Sequence, residues 1–132
     1  MVSAFQFSNP SLLRLTYKIN EGFAKDENES INIDIKSEIS IGPGPENNSS
    51  VVILKVTIGS EDDTTPFYIY AEEGAAFRWD AEKVDEKQSA GLLKQNAPAL
   101  LLSYLRPTIA MITAASPFPS YNIPFMNFTE QS

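Results

Sequence analysis

The chain has 132 residues and a mass of 14.6 kDa, room for one domain with one core, expected over residues 1–132, and not for two. Ten Lys plus Arg against seventeen Asp plus Glu give a net charge of −7, so the mean field repels phosphate backbones and anionic lipid and argues against nucleic-acid and membrane partners. Neither Cys nor His occurs, which removes disulfides, thiol nucleophiles, Ser-His arrangements and the common zinc sets; no catalytic residue, cofactor or metal is expected, and the cytoplasm is the default location.

Residues 1–10 (MVSAFQFSNP) lack a basic segment followed by an uninterrupted apolar core and do not read as a signal peptide. Leu13, Leu15, Tyr17 and Ile19 alternate with Arg14, Thr16 and Lys18, the period of a strand with one face toward a core. Residues 21–30 (EGFAKDENES) form a polar connection. Ile31, Ile33, Ile35, Ile39 and Ile41 then recur at odd positions between polar residues, giving the clearest strand. GPGPENNSS (42–50) turns the chain, since its Gly-Pro steps exclude a continuing ladder. Residues 51–58 are β-branched and apolar on both faces, as an interior strand requires, GSEDDTTP (59–66) is the next turn, and residues 67–71 (FYIYA) form the fourth strand. Four strands joined in sequence predict an antiparallel β-meander.

Glu72, Glu73 and Gly74 read as a turn, followed by a short exposed helical piece with Val84, Leu92 and Leu93. Asn96 as N-cap and Pro98 in the first turn predict a main helix running to about Ala115. Leu101, Tyr104, Leu105, Thr108, Met111 and Ile112 give it an apolar stripe, and Pro107 predicts a kink or break near Ser103. Ser103, Tyr104, Arg106 and Pro107 interrupt its apolar run, so no transmembrane segment is read. SPFP (116–119) ends the helix, and YNIPFMNF (121–128) suits an extended, packed tail.

From Gln95 onward only Arg106 and Glu130 are charged, so the C-terminal part offers more apolar surface than a small core uses. Acids cluster at Glu61, Asp62 and Asp63 and at Glu72 and Glu73, but both groups flank expected turns, where solvated charge accounts for them. Asp26, Asn28 and Ser30 have the spacing of a calcium loop, but Ile31 and Ser37 stand where its glycine and glutamate belong. Arg106 reads as a snorkelling side chain or an interface partner. The best functional candidates are the tail aromatics with Met126, because rigid rings and a flexible thioether suit varied apolar segments.

Four antiparallel strands, a long helix and a proline-rich apolar tail resemble the SecB family of bacterial protein-export chaperones. The resemblance is carried by TTPFYIYAEEGAAFRWD from Thr64, APALLLSYLRPTIAMIT from Ala97 and FPSYNIPFMNF from Phe118. It implies an α+β fold: a four-stranded antiparallel sheet, a long helix and an extended C-terminal tail. It further implies a cytoplasmic homotetramer, a dimer of dimers, that holds unfolded polypeptides in apolar grooves without ATP. The family's groove contacts correspond to Phe23, Tyr104, Phe118, Tyr121, Phe125, Met126 and Phe128. Glu72 and Glu73 are the acidic residues available for a partner surface. In the family an acid on the fourth strand helps contact the SecA translocase motor, and Tyr70 stands about there. SecB proteins usually continue into a second helix, whereas this sequence ends four residues after Phe128. The alternative is a non-enzymatic scaffold, or an assembly protein of the same fold for a dedicated antitoxin or phage client.

Overall fold

Alternation of apolar and polar residues lays out the sheet. In the computed structural model, which describes residues 4–24 and 32–128, five strands form: β1 (Phe5–Phe7), β2 (Ser11–Ile19), β3 (Ile35–Pro43), β4 (Ser49–Gly59) and β5 (Phe67–Trp79). Val52, Leu54, Val56 and Ile58 of β4 are completely buried on one face, and Phe67, Ile69, Ala71, Ala75 and Phe77 of β5 line the same face. Ile35 and Ile39 of β3 join them through the pairs Ile35↔Ile58 and Ile39↔Leu54. The expected isoleucine strand is therefore present from Ile35; Ile31 and the Asp26–Ser30 calcium-like stretch lie outside the described residues.

The class is α+β with an all-antiparallel sheet, but the meander holds only for β3, β4 and β5. β2 pairs with β5 on the far edge, not with β3, so the chain crosses from one edge to the other after Ile19, the arrangement of a Greek key. β1 extends that edge by pairing with the last residues of β5. The fourth strand is also longer than predicted, because β5 runs straight through Glu72, Glu73 and Gly74. Gly74 supports close approach there and makes no turn: a Cβ on it would lie 2.8 Å from Leu13 Cδ1 and 3.2 Å from Ile53 Cγ1. Leu13 is the extra residue of a bulge in β2, between the pairs Leu12↔Glu73 and Arg14↔Glu72.

Helix α1 (Glu86–Gly91), a π-helical turn (Leu92–Asn96) and helix α2 (Ala97–Ala114) make one continuous helix, starting ten residues before the expected Asn96 cap. Asp85 is the true N-cap: its Oδ1 accepts the Gln88 N–H at 2.7 Å while Gln88 Oε1 accepts the Asp85 N–H at 3.0 Å. Asn96 makes no capping bond. The irregularity is the π turn ahead of Pro98, and Pro107 is carried inside an unbroken α2, a correction to the break expected near Ser103. By length and composition Glu86–Ala114 could cross a membrane, but here Leu101, Leu105 and Ile109 are completely buried as α2 packs on β4 and β5.

Candidate functional site

The crossover after β2 and the tail after α2 meet at one end of the sheet. Asn20, at the end of β2, is buried and clamps the β4–β5 turn. Its Nδ2 donates to the Ser60 and Thr65 carbonyls at 2.8 and 2.9 Å, and its N–H to the Pro66 carbonyl at 3.0 Å. The Asn20 carbonyl in turn accepts the Phe23 N–H at 3.0 Å, so the first turn of the crossover is fixed to the sheet. Phe23 thereby meets the tail edge-on, its ring 6.0 Å from Phe118 at 77°.

Thr113 sets the tail's direction. Completely buried in the last turn of α2, its hydroxyl donates to the Ile109 carbonyl at 2.8 Å and accepts the Tyr121 N–H at 2.7 Å. Ser116 closes the helix end, its hydroxyl donating to the Thr113 carbonyl and accepting the Phe118 N–H. The chain doubles back, and Tyr121 lies edge-on to Phe67 at 5.9 Å, with Tyr17 edge-on to the same ring at 6.4 Å. Burial raises the Tyr121 phenol above its usual pKa.

Phe23, Phe118 and Tyr121 are half-buried around this end, and Met126, farther along the tail, is half-buried against the core. Phe125 stands out at 84% exposure, whereas Phe128 is 4% exposed and belongs to the core with Ile123. Phe128 is thus a core plug here and offers no surface of its own. Tyr104 is elsewhere: 40% exposed on α2, it meets Phe7 of β1 at 6.5 Å, edge-on. Phe7 and Phe5 pack on Phe77 at 6.2 and 5.6 Å, and Phe5 on Trp79 at 6.5 Å. Ten strand residues separate Phe67 from Phe77, about 33 Å, so the helix-facing side of β5 carries an aromatic cluster at each end. Sequence reasoning named Tyr104 and missed its partners Phe5 and Phe7; their signal was the FQF alternation of residues 5–7.

Large apolar side chains remain exposed between the clusters: Leu12, Leu13 and Leu15 on β2 and Tyr104 and Met111 on α2. α2 covers β4 and β5 and leaves the β2 edge open.

Glu72 and Glu73 do not make a joint acidic surface, because consecutive strand residues face opposite sides. Glu72 Oε2 accepts the Tyr70 hydroxyl at 2.7 Å, which raises that phenol, and lies in register with Arg14 and Lys55. Glu73 is 4% exposed on the core-facing side between Leu12 and Leu54, and burial raises its carboxyl pKa. The Glu61–Asp63 acids shape a turn: Asp62 Oδ1 accepts the Ser60 hydroxyl at 2.6 Å, and the Thr64 hydroxyl and its N–H, bonds that hold its pKa near about 2. Among the described residues no group of three or more acids could hold a metal.

The sequence matches the family described as preprotein translocase subunit SecB over residues 16–131. An uncharacterised protein of Methanocaldococcus jannaschii is 30% identical over 126 residues, covering 94% of this chain and 79% of the relative. The SecB-like chaperone of Mycobacterium tuberculosis, solved with a ChAD peptide from the HigA1 antitoxin, superposes with a TM-score of 0.73 at 16% identity, over 93% of this chain and 91% of that one. A protein of unknown function from Streptococcus agalactiae gives 0.56 at 14% identity, over 92% and 97%.

Proposed function

The chain belongs to the SecB family, and we propose that it is a chaperone of SecB type, an ATP-independent holdase that binds non-native polypeptides on apolar surface. The observation that carries this reading is the 84% exposure of Phe125 in a tail whose Phe118, Tyr121 and Met126 are themselves only half-buried. One exposed ring alone would be ordinary, but a tail that leaves four large apolar side chains wholly or partly uncovered offers surface to an apolar partner. Burying such rings gains about 25 cal/mol per Å² before ordering costs, a force with little sequence preference, as a chaperone of varied clients requires.

Leu12, Leu13 and Leu15 of β2 and Met111 of α2 are further exposed apolar side chains, which we assign to self-association into a dimer of dimers in the cytoplasm. With seven net negative charges per chain, contacts beyond that assembly are opposed by repulsion. Tyr70 is bonded to Glu72 and presents no free carboxylate where the family meets SecA, so a client delivered outside the SecA route suits this chain better than general export. The M. tuberculosis protein, solved with an antitoxin peptide, supports a polypeptide client for this fold.

The test is suppression of aggregation of a slowly refolding, unrelated protein at stoichiometric amounts without ATP, with the mass measured by light scattering on the same sample. Suppression by an assembly of about 58 kDa, four times the 14.6 kDa chain, is expected. A native assembly that neither suppresses aggregation nor binds ANS would instead be a closed scaffold.

A further inference from the structure

Strand β1 is a small, separable element. It has three residues and, among the described strands, pairs with β5 alone, as Phe5↔Trp79, Gln6↔Arg78 and Phe7↔Phe77. Asn9 and Pro10 cut it off from β2, and Pro10 has no N–H to continue a ladder. β2 keeps its own pairing from Ser11↔Gly74 onward, so β1 can leave without unzipping it. Two more backbone bonds hold β1, from the Ser8 N–H to the Ala76 carbonyl at 2.8 Å and from the Asp80 N–H to the Ala4 carbonyl at 2.9 Å. Phe7 remains 46% exposed even when docked.

β1 also has the form of a ligand. An extended segment with aromatic residues at alternate positions is seated on a sheet edge, its main chain hydrogen-bonded and its rings against Phe77, Trp79 and Tyr104. Beside it a cavity of about 520 Å³ opens between β1 and the Pro45–Glu46 turn, over Ala76 and Arg78, with room for further side chains. We propose that the β5 edge at Phe77–Trp79 is a second polypeptide-binding station, which takes an extended client segment with aromatic or large aliphatic residues at alternate positions, and that β1 holds it closed by occupying it. The proposal rests on the holdase reading for its ligand class and adds where, and by what competition, a client strand binds.

Gln6 and Arg78 lie directly opposite, and Arg78 Nε donates to Gln6 Oε1 at 2.8 Å. A hydrogen-bonded antiparallel pair has Cα atoms about 5.5 Å apart, within disulfide range, and the chain has no cysteine to interfere. The Gln6→Cys/Arg78→Cys protein can therefore be locked by oxidation and released by reduction. Trp79, the single tryptophan, reports occupancy by its emission. The probe is an acetylated synthetic peptide of the chain's own residues 3–9, titrated alongside the aggregation assay. The reduced form is expected to bind it saturably, at least tenfold tighter than the oxidised form. If the double variant fails to fold, full-length Phe5→Ser/Phe7→Ser must bind the peptide at least fivefold tighter than the parent.

Equal affinity in the locked and released forms overturns the station. So does mass that rises on reduction without peptide, because a second copy's β1 would then be the occupant. Both results can stand beside intact aggregation suppression. Loss of suppression in both forms instead counts against the holdase reading, while the peptide titration still decides the station.

Discussion

Phe125 and Phe128 lie three residues apart in one tail and should separate binding from stability. Phe128 is 4% exposed within the core, so Phe128→Ala removes a ring and leaves a cavity, at a cost of about 3–5 kcal/mol. Against a typical domain stability of about 5–15 kcal/mol that is a large loss. Phe125 is 84% exposed and has almost no burial to lose, so Phe125→Ala should alter stability by about 0.5 kcal/mol or less. If a client covers that ring, its burial contributes about 1.5–3 kcal/mol to binding, and Phe125→Ala should raise the Kd for an unfolded polypeptide roughly 10- to 100-fold. Urea unfolding followed by Trp79 emission, at fixed protomer concentration because assembly adds to apparent stability, gives the first pair of numbers. Fluorescence titration with a reduced, carboxymethylated protein gives the second. A Phe125→Ala chain with parental Kd, or one that loses as much stability as Phe128→Ala, would refute the division of the tail into an outward and an inward ring.

Glu73 gives a pH signature. Its pKa is raised by burial, so the native state holds the proton more tightly than the unfolded chain; stability is full below the ordinary value of 4.5 and falls as pH rises through the raised value. Glu73→Gln should raise the urea midpoint at pH 7 and flatten that slope, and a parental slope would show that another group titrates. Thr113→Val removes the acceptor of the Tyr121 N–H and should cost about 1–3 kcal/mol, with faster hydrogen exchange at the Tyr121 amide that Thr113→Ser does not show. Gly59 has φ +73°, and a Cβ there would lie 2.2 Å from the Phe67 carbonyl oxygen, so Gly59→Ala should cost about 2 kcal/mol or more. Gly42→Ala, with open space around it, serves as the neutral comparison in the same urea series.

What the sequence made legible follows from what periodicity encodes. The odd-numbered isoleucines of β3, the interior β4 and the apolar run of α2 were readable because each has a face to bury. Strand neighbours were not, since alternation says which side faces the core and nothing about which edge is paired; the expected meander became a Greek key at β2 for that reason. Glu72-Glu73-Gly74 resembled a turn because carboxylates rarely enter a sheet's buried face, yet Glu73 keeps its place in the alternation, at the cost of a carboxyl pKa raised by burial. The capping box of Asp85 and Gln88 was present in the sequence and outweighed by the Asn96–Pro98 signal. In the tail, Ile123 and Phe128 are buried five residues apart across Pro124, a spacing that matches neither regular period, so no pattern could assign Phe125 outward and Phe128 inward.

The same accounting explains why a chain with a complete core still offers apolar surface. β4, β5 and the inner side of α2 already bury a full layer of covered side chains, among them Leu54, Ile58, Phe67, Leu101 and Ile109, and that layer can hold the fold. The elements beyond it are each short of a neighbour: β2 lies on an edge that α2 does not cover, β1 has three residues, and the tail has no regular structure over residues 115–127. Apart from the core members Ile123 and Phe128, their apolar residues add little to the core and can exchange one apolar neighbour for another at small cost. A rigid centre with replaceable margins suits reversible binding of extended apolar segments, because the central layer keeps its form while the margins change partners. The aromatic clusters about 33 Å apart on β5 would let one extended segment of roughly ten residues reach both, so clients with two apolar stretches at that separation should bind more tightly than clients with one. A peptide series that varies only the spacer between two Phe-Xaa-Phe blocks would show an optimum near ten residues, and a flat response would mean the two ends act separately.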